Sequence, residues 1–595
     1  MENHISPTTT QLQGKEAKTH IETGTTIIGN IAKSILGPTG SLKLLQHPDN
    51  NISITNDGAT ILKNLKIDHP TARLLIEGSV NQDWEEGDGT TSVAILSHYI
   101  LKNCNAYGKE IASSAIIKGL EIVLQRALNI IERVSTPMTD EMLYNLAYTT
   151  LNSKNMGSDV GRFAKMCVEA VNRISCSCYN TSNLEIYGKE SVDFHLLGHK
   201  STKKESNKLP ETEKVNEKAS NKIKKACECI NDIDLNSIRI VKLPGTVSKS
   251  FLCTGLIIKN MNVVERIEKP CVFVVNTNLD HIKVKMTSTK VSVSSIKDVV
   301  EIENREIARV VERVGQIVKY NQNSENSKKI DFLVNRQIVY DLPRRKLKDA
   351  GIEVIENVGF DAIEQISKIT DTPVISSFES VSNNFKFGSC QSIDSIRIND
   401  TRFTRFLSGS PDCAESESNK KTGSACSIVL FGPSDTIRNE TERSVHDALC
   451  VLSRVKQERK LLFGGGAIEL TLARELLKAV SSDPVDAICT KIFCESLIEI
   501  PRTLIENSGG KPDQILVKLK QIQEKNNAVG VNVNGRALSV SSKLEDALIG
   551  DMKSQGVFES CRVKSRVLCA AVEIAQMLVK CDSIILNGPR QRNVV

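Results

Sequence analysis

Apolar residues recur at spacings of three and four over much of the N-terminal part of the chain. The runs "SVAILSHYILKNCNAYG" and "SSAIIKGLEIVLQRALNIIERV" carry this pattern, and turns that contain glycine separate such runs from about residue 18 to residue 175. A period of 3.6 residues is typical of amphipathic α-helices. The pattern therefore predicts a mainly helical module at this end of the chain.

The pattern changes in the middle of the chain, from about residue 238 to residue 378. Stretches rich in β-forming residues, "KPCVFVVNTNL" and "IDFLVNRQIVYDL", stand on either side of the helical run "DVVEIENREIARVVERVGQIV". Helical periods return with "DTIRNETERSVHDALCVLSRVKQERKL" and continue almost to the C-terminus. We therefore predict an α/β domain that interrupts a helical module split between the two chain ends.

Two polar segments lack the apolar residues that a core needs. The segment from about residue 179 to residue 235 contains "GHKSTKKESNKLPETEKVNEKASNKIKK", and another lies at about 408–423. Such a composition cannot bury enough apolar surface to offset the entropy of ordering. We predict a disordered lysine-rich insertion and a polar loop.

Bulk composition is that of an ordinary globular chain of several domains. The chain has 595 residues, 40% hydrophobic and 25% charged, with a net charge of +6 and a mean hydropathy of −0.19. So small a charge does not favour nucleic-acid binding. The first twenty residues lack an apolar signal-peptide core and no apolar run is long enough to span a membrane, so we expect a cytosolic chain without membrane contact.

The 17 cysteines follow no regular spacing and are expected to be small buried hydrophobes. The alternative is a metal or disulfide clamp made by two CxC pairs, Cys176/Cys178 and Cys227/Cys229. Zinc sites usually have at least two residues between paired cysteines, which disfavours the metal.

The stretch "EGDGTTSV" places two glycines, a carboxylate and three hydroxyl groups directly before an apolar helical run. A loop that ends at a helix N-terminus offers free N–H groups to a phosphate, and Asp88 would hold the accompanying Mg²⁺. The alternative is a glycine turn followed by an ordinary Ser/Thr helix cap.

The chain contains no Walker A loop, GxGxxG motif or HExxH motif. It does contain four glycine-rich or acidic elements: "ILGPTG" (35–40), "ITNDGATIL" (54–62), "EGDGTTSV" (86–93) and "FGGGAIEL" (463–470). The last is far from the others along the chain. They share one site only if the two chain ends fold together.

These elements, with "ERSVHDAL" and "GVFESCRVKSRVL", resemble the group II chaperonins, ATP-driven folding chambers of archaea and the eukaryotic cytosol. The resemblance runs from about residue 31 to residue 592 apart from insertions. It implies a mainly helical equatorial domain (1–152 and 443–595), an intermediate hinge domain (153–244 and 379–442) and an α/β apical domain with a helical lid protrusion (245–378). It also implies ATP and Mg²⁺ as cofactors, and other chaperonin subunits of a hetero-oligomeric double ring and unfolded client proteins as partners.

The resemblance also implies roles for individual residues. Asp88 would hold Mg²⁺, Asp57 would face the phosphates as a second acid, and Asp447 would be the catalytic base. The remaining residues are implied to bind nucleotide: Gly37, Pro38, Gly89, Thr90, Thr91, Ser92, Ser153, Lys154, Gly465, Glu559 and Lys564.

Local sequence alone gives Asp447 no such role. In "ERSVHDALCVLSRV" the apolar stripe is Val445, Leu449 and Leu452, and Arg443 stands four residues before Asp447. Without the resemblance, this spacing indicates an exposed ion pair on a helix surface.

In the middle domain, "SVSSIKDVVEIENREIARVVERV" resembles the lid protrusion, and "GFDAIEQISKIT" resembles a helix facing the chamber. The alternative for the second is a plain amphipathic helix packed on a sheet.

The chain departs from the family where Thr39 replaces a lysine, where extra residues follow Asn532, and in the charged stretch "LPRRKLKDAG". Two rival functions are a ring subunit that binds nucleotide with little hydrolysis, and a scaffold outside the ring.

Overall fold

The computed structural model describes residues 9–47, 50, 52–107, 111–154, 156, 159–174, 233–259, 266–279, 293, 295–323, 329–376, 387–407, 425–533 and 547–587. The chain forms two compact units. The first comprises residues 1–169, 244–248 and 431–595, and the second comprises residues 170–243 and 249–430. Both ends of the chain thus belong to one unit.

Helices make up most of the first unit and flank the sheets of the second. In chain order they are α1 (Gly14–Ile35), α2 (Gly58–Asn64), α3 (Pro70–Glu86), α4 (Thr90–Tyr107), α5 (Ser113–Val134), α6 (Asp140–Asn152), α7 (Val160–Ile174), α8 (Ile296–Asn323), α9 (Asp341–Asp349), α10 (Phe360–Thr370), α11 (Asp435–Glu458), α12 (Ala467–Lys478), α13 (Pro484–Asn507), α14 (Pro512–Gln523), α15 (Met552–Gln555) and α16 (Cys561–Lys580).

The strands are short. In chain order they are β1 (Thr9–Gln13), β2 (Lys43–Gln46), β3 (Ile52–Thr55), β4 (Thr136–Pro137), β5 (Ile238–Pro244), β6 (Phe251–Thr254), β7 (Leu256–Lys259), β8 (Ile267–Glu268), β9 (Cys271–Val275), β10 (Phe332–Asn335), β11 (Glu353–Ile355), β12 (Gly388–Ser389), β13 (Ser392–Ile398), β14 (Thr401–Leu407), β15 (Cys426–Gly432), β16 (Lys460–Phe463), β17 (Val529–Val531), β18 (Ile549–Asp551), β19 (Phe558–Ser560) and β20 (Ser583–Asn587).

Helix α4 lies at the centre of the first unit. Its residues from Val93 to Leu101 are buried on nearly every side, and it packs against α1, α3, α13 and α16. A helix that is apolar all round requires neighbours on all sides. Because α1, α3 and α4 come from one chain end and α13 and α16 from the other, this core joins the two ends.

Small antiparallel sheets complete the first unit. Strand β1 pairs with β20, from Thr9 opposite Asn587 to Gln13 opposite Ser583. Strands β2 and β3 form a hairpin, β16 lies between β19 and β4, and β17 pairs with β18. The β1–β20 pair is a second place where the two chain ends meet.

The second unit is an α/β structure. One sheet has the order β11-β10-β9-β12, in which β9, β10 and β11 are parallel. Alternate residues of β9 point to opposite faces: Val272 and Val274 pack with α10, and Phe273 packs with α8 and α9. Two further sheets have the orders β7-β14-β13-β8 and β5-β15-β6.

The main secondary-structure predictions are confirmed. The run "SSAIIKGLEIVLQRALNIIERV" is α5, the β-rich stretches contain β9 and β10, and the long middle run forms α8. The division into equatorial, intermediate and apical domains at the boundaries given above stays a prediction.

Several sequence predictions lie outside the described residues. These are the lysine-rich segment through residue 232, the two CxC pairs, the polar loop at 408–423 and the residues inserted after Asn532 from 534 to 546. Within the part of the chain that is described, the cysteines are free thiols and most are buried, as predicted. No helix of that part is long and apolar enough to cross a membrane.

Candidate nucleotide site

Asp57 begins helix α2 and provides the first acidic side chain of the site. Its Oδ2 accepts hydrogen bonds from Thr60 N at 3.1 Å and Thr60 Oγ1 at 2.6 Å, which caps the helix. The next residue, Gly58, lies against the start of α4, where a Cβ would be 2.6 Å from Thr91 Oγ1 and 2.7 Å from Thr90 Oγ1. The "TNDGAT" and "GDGTTS" motifs are therefore packed together, and only glycine fits between them.

Lys154 joins Asp57 to Asp447. Its Nζ lies 2.9 Å from Asp57 Oδ1 and 2.9 Å from Asp447 Oδ2, and the three side chains are only 13%, 4% and 5% exposed. Buried charges are stable in proteins only when they are paired. Three distant parts of the sequence thus form one buried cluster, which we call the Lys154 triad.

The two carboxyl groups of the Lys154 triad have opposite pKa shifts. Burial favours the neutral form of Asp57, but Lys154 and the Thr60 hydrogen bonds outweigh it and lower the pKa of Asp57 to about 2. At Asp447, burial, helped by the nearby Asp57 and Asp83 carboxylates, overcomes Lys154 and raises the pKa to about 8. Asp57 is therefore ionised at neutral pH, whereas Asp447 exchanges its proton near that pH.

The protonation of Lys154 follows from the same contacts. Burial alone would lower the pKa of the Lys154 ammonium, but the charges of Asp447 and Asp57 outweigh burial and raise the pKa well above its usual value. Lys154 therefore carries its charge at every physiological pH.

Asp447 lies on α11, and the helix pattern around it is as the sequence predicts. Val445, Leu449 and Leu452 are buried. The alternative of an exposed Arg443/Asp447 ion pair is wrong, because Asp447 is 4% exposed and Arg443 pairs with Glu440 at 3.0 Å. The packing of α11 against α3 and α6 buries the face that carries Asp447.

Ser153 lies at the C-cap of α6, directly before Lys154. Its Oγ donates to Thr150 O at 2.7 Å, and its carbonyl accepts a hydrogen bond of 2.7 Å from Asn56 Nδ2. Asn56 precedes Asp57, so this bond holds the Asp57 and Lys154 segments side by side.

Asp83 is an acidic residue of the site that sequence reasoning missed. Burial, together with the charges of Asp57 and Asp88, raises the pKa of Asp83 to about 6. A signal was present in the sequence: Asp83 lies in the last turn of α3, where the helix dipole disfavours a carboxylate. A carboxylate in that place suggests a role outside the helix.

The loop between α3 and α4 is tightly held. Gly87 has φ +72°, its N–H donates to Asp83 O at 2.8 Å, and a Cβ on it would be 2.6 Å from Cys450 Cβ. Asp88 Oδ1 accepts a hydrogen bond of 2.6 Å from Gly89 N, and Gly89 has φ +85°. The positive φ angles and the close packing require glycine at both positions.

The start of α4 has free hydrogen-bond donors. Within the part of the chain that is described, the amides of Thr90, Thr91 and Ser92 donate to no protein acceptor, and neither does the amide of Gly37. Gly37 has φ +80° and precedes Pro38 in an exposed loop. Unpaired N–H groups at a helix N-terminus suit an anion such as phosphate.

The residues at the site fit a magnesium ion only together with a substrate. Within the described residues, no group of three or more His, Cys, Asp or Glu side chains is arranged to hold a metal ion. Asp88 uses one carboxylate oxygen on Gly89, and its other oxygen accepts no hydrogen bond from the described residues. Mg²⁺ is commonly held by one or two carboxylates and the phosphates of a substrate. The free carboxylate oxygen of Asp88, close to N–H groups that could bind phosphate, is therefore a suitable ligand.

The glycine triplet of the C-terminal part packs against three neighbours. A Cβ on Gly465 (φ +64°) would be 2.6 Å from Met552 Sδ, and one on Gly466 (φ +77°) would be 2.7 Å from Pro501 Cβ. The carbonyl of Gly465 accepts a hydrogen bond of 2.8 Å from Val531 N. Packing alone therefore requires these glycines, whatever ligand they approach.

A second buried cluster lies beside the triplet, and we call it the Lys564 triad. Lys564 Nζ lies 2.5 Å from Glu469 Oε1 and 2.6 Å from Glu559 Oε2. The side chains of Lys564 and Glu469 are 7% and 1% exposed, whereas that of Glu559 is 33% exposed. Sequence reasoning missed Glu469, although it belongs to the "FGGGAIEL" motif.

Electrostatic interactions connect the Lys564 triad to the loop that contains Asp88. Burial raises the pKa of Glu559, with Glu469 and Asp88 acting in the same direction against Lys564. For Lys564, the two glutamates outweigh burial and raise its pKa. Since Asp88 influences both Glu559 and Asp83, the motifs from the two chain ends lie around one region.

Comparison with known proteins identifies the family of the chain. The model of the TCP-1/cpn60 chaperonin family matches residues 28–196 and 201–589. The chain is 33% identical over 594 residues to the T-complex protein 1 subunit beta of Encephalitozoon cuniculi, with 99% of each chain covered. It is 30% identical over 598 residues to the subunit of the same name from Saccharomyces cerevisiae, with 98% of this chain and 97% of the relative covered.

The human T-complex protein 1 subunit beta is 29% identical over 582 residues, with 96% of this chain and 93% of the relative covered. The resemblance seen in the motifs is thereby confirmed over nearly the whole length. The chain belongs to the TCP-1/cpn60 chaperonin family.

Proposed function

We propose that this chain is an ATP-hydrolysing subunit of a cytosolic double-ring chaperonin that encloses and folds unfolded client proteins. The single observation that carries the catalytic part is the Lys154 triad, which buries the side chain of Asp447 beside the "GDGTTS" loop. Membership of the family and the name of the relatives support the assignment to a ring.

The phosphate side of the site would be formed by the C-terminal end of α3, the N-terminal end of α4 and two loops. The free amides of Gly37, Thr90 and Thr91 would bind phosphate oxygens, with Pro38, Gly89, Ser92 and Ser153 shaping the surface around them. Asp88 would hold Mg²⁺, which supplies charge neutralisation at the phosphates when bound.

Asp447 would take the proton of the attacking water. A general base works best when its pKa lies near the operating pH, and the pKa of Asp447 is raised to about 8 by its burial. Asp57 would remain a fixed negative charge that holds Lys154 in place. Lys154 would then lie where it can turn toward the terminal phosphate once Asp447 is protonated.

The Lys564 triad would form the ribose side. Glu559 is the partly exposed member and would accept hydrogen bonds from ribose hydroxyl groups. Lys564 is buried and bound by both Glu469 and Glu559, so it would act by holding Glu559 rather than by touching the nucleotide. Gly465 would allow the backbone to approach the nucleoside.

The second unit would bind client protein. Helix α8 would belong to the lid protrusion and α10 would face the chamber, with ATP turnover driving closure through the intermediate domain. The first test is the native mass and composition of the particle that carries this chain, purified from its own cells. A large species with several related subunits is expected, whereas a free chain or a small complex with unrelated partners would favour the scaffold.

The second test measures hydrolysis on this chain alone, because the other subunits also turn over ATP. Photoreactive 8-azido-ATP carrying a label in the α- or the γ-phosphate is crosslinked to the chain within the particle. The wild-type chain should keep the α-label and lose the γ-label with time. Asp447→Asn should slow the loss of the γ-label by about 10²-fold or more.

Asp435→Asn is the matched control, since Asp435 lies on the same helix with a side chain that is 90% exposed. It should behave as wild type. If neither label attaches to the wild-type chain, the nucleotide site is wrong.

A second candidate is a ring subunit that binds nucleotide with little turnover, because Thr39 replaces a cation of the family loop. In the structure, Thr39 Oγ1 lies 3.4 Å from Ser508 Oγ. Retention of the γ-label by the wild-type chain, at the rate seen for Asp447→Asn, would favour this candidate.

A further inference from the structure

Asn507, the last residue of α13, binds the end of a different helix. Its Nδ2 donates hydrogen bonds to Lys33 O and to Leu36 O, each at 2.8 Å. Lys33 lies in the last turn of α1 and Leu36 is the C-cap of that helix, so both carbonyls lie where the helix ends. Lys33 O also accepts a hydrogen bond of 3.4 Å from Leu36 N. One amide group thus uses its two hydrogens to fix the point at which α1 ends and the loop from residue 36 to residue 40 begins.

The same turn of α13 touches the loop at two more places. A Cβ on Gly37 would be 2.6 Å from Leu504 Cδ2, and Thr39 Oγ1 lies 3.4 Å from Ser508 Oγ. The Ser508 hydroxyl donates in turn to Leu504 O at 2.8 Å. The loop therefore contacts the C-terminal end of α13 at Gly37 and at Thr39.

Helix α13 also contacts the other half of the site. Pro501, less than two turns before Asn507, packs against Gly466 of the glycine triplet. A single helix end therefore lies against both the loop assigned to the phosphates and the triplet assigned to the nucleoside.

The loop has few bonds of its own to fix its shape. Its backbone is closed by Gly40 N donating to Gly37 O at 3.0 Å and, just outside it, Ser41 N donating to Ser34 O at 2.8 Å. The two hydrogen bonds from Asn507 Nδ2 help to set the direction in which the loop leaves α1. A displacement of about 1 Å in a positioning element lowers the efficiency of a site substantially.

We propose that Asn507 is a positioning residue for the nucleotide site, which holds the Gly37–Pro38 loop at the place where it meets the phosphates. This inference rests on the proposed function. Asn507 has no part in the chemistry, so its loss should weaken nucleotide binding and leave the chemical step nearly unchanged.

The test is Asn507→Ala in this chain, measured in the particle purified from its own cells. The half-saturating concentration of α-labelled 8-azido-ATP in crosslinking to the chain should rise about tenfold. The rate of γ-label loss at saturation should stay within about twofold of wild type. Asn507→Asp, which opposes a carboxylate to two carbonyl oxygens, should raise the half-saturating concentration at least as much.

Asn103→Ala is the matched control. Asn103 also ties a helix to α13, with Nδ2 3.0 Å from Ser496 Oγ and 3.4 Å from Ile492 O, but it lies further from the loop. Its substitution should leave the half-saturating concentration unchanged, which separates positioning from general loss of helix packing.

Three outcomes overturn a claim, and they can be told apart. An unchanged half-saturating concentration in an intact particle overturns the role of Asn507. If Asn507→Ala does not enter the particle, Asn507→Ser is measured in the same way, and failure of both variants also overturns it, because the residue would then serve the fold. Absence of label on the wild-type chain overturns the proposed function itself.

Discussion

The Lys154 and Lys564 triads have the same composition, a buried lysine between two carboxylates, but differ in how the charges are balanced. In the Lys154 triad, Lys154 Nζ lies 2.9 Å from an oxygen of each carboxyl group. The pKa of Asp57 is lowered to about 2, whereas that of Asp447 is raised to about 8. In the Lys564 triad the distances are 2.5 and 2.6 Å, and Glu559 is partly exposed.

The difference lies in what surrounds each lysine. The carboxylates of Asp57 and Asp83 both raise the pKa of Asp447, whereas Lys154 lowers it. Glu469 and Asp88 act on Glu559 in the same way, but the side chain of Glu559 is 33% exposed and can be solvated, whereas that of Asp447 is only 5% exposed. We infer that the Lys154 triad is arranged for proton exchange and that the Lys564 triad is arranged for rigidity.

The largest expected effect on stability is that of Lys564→Met. It leaves the buried carboxylate of Glu469 without its cation, and such losses cost about 3–5 kcal/mol. The urea concentration at half loss of the helical circular dichroism signal should fall clearly. Lys553→Met, at an exposed position of α15, should leave the midpoint unchanged.

A midpoint for Lys564→Met equal to that of wild type would mean that the triad is not structural. The contrast between the two triads would then be wrong, because both would have to serve ligand binding rather than stability.

Lys154→Met should affect ATP hydrolysis more than stability. Lys154 lowers the pKa of Asp447, so without it the pKa rises further and the base stays protonated at neutral pH. The loss of the γ-label should slow by about 10²-fold. Asp57 also loses its cation, but it keeps two hydrogen bonds from Thr60, and Asp447 becomes protonated. Stability should therefore fall less than for Lys564→Met, where Glu469 Oε2 has no hydrogen-bond partner in the described residues.

Raising the pH should partly restore turnover in Lys154→Met, since the base is then deprotonated. A variant that hydrolyses ATP normally at pH 7 would contradict the assignment of Asp447 and Lys154 to one proton-exchanging unit.

Much of the fold follows from the sequence, because local patterns determine it. The helical period identifies α4 and α5, and runs rich in β-forming residues identify β9 and β10. The glycines at 87 and 89 are visible in the sequence as a loop before a helix, and the structure gives them positive φ angles.

The site is less predictable, because it depends on contacts between distant segments. The packing of α11 on α3 and α6 brings Asp447 to residues 57 and 154, although the local pattern around Asp447 indicates an exposed residue. Asn507 has no motif at all, since its partners are carbonyl oxygens, which every sequence contains. Only the resemblance to a family brought Asp447 into consideration.

The protonation of Asp447 also predicts how stability depends on pH without nucleotide. Its pKa is raised from 3.8 to about 8, so its contribution is fully present below about pH 4 and is lost as the pH rises through 8. Stability of the nucleotide-free chain should therefore fall between pH 6 and 8 by up to about 1.4 kcal/mol per pH unit from this group. Urea midpoints at the two pH values measure it.

Asp447→Asn should remove this part of the pH dependence, whereas Glu469→Gln should not. An equal slope in wild type and Asp447→Asn would show that Asp447 is already ionised at pH 6, and the contrast between the two triads would then disappear.

The smallest expected effect is that of restoring the lysine of the family loop. Lys154 is bound by two carboxylates, whereas the added cation of Thr39→Lys would be free to meet a phosphate from the Gly37–Pro38 loop. Thr39 is exposed and its only side-chain hydrogen bond in the described residues is the 3.4 Å contact with Ser508, so a longer side chain fits without loss of packing. A partly screened charge contributes about 0.5–1 kcal/mol, which lowers the half-saturating concentration of 8-azido-ATP two- to fivefold. Thr39→Met, of similar length without charge, is the control, and an equal effect of both variants would assign the gain to packing rather than to charge.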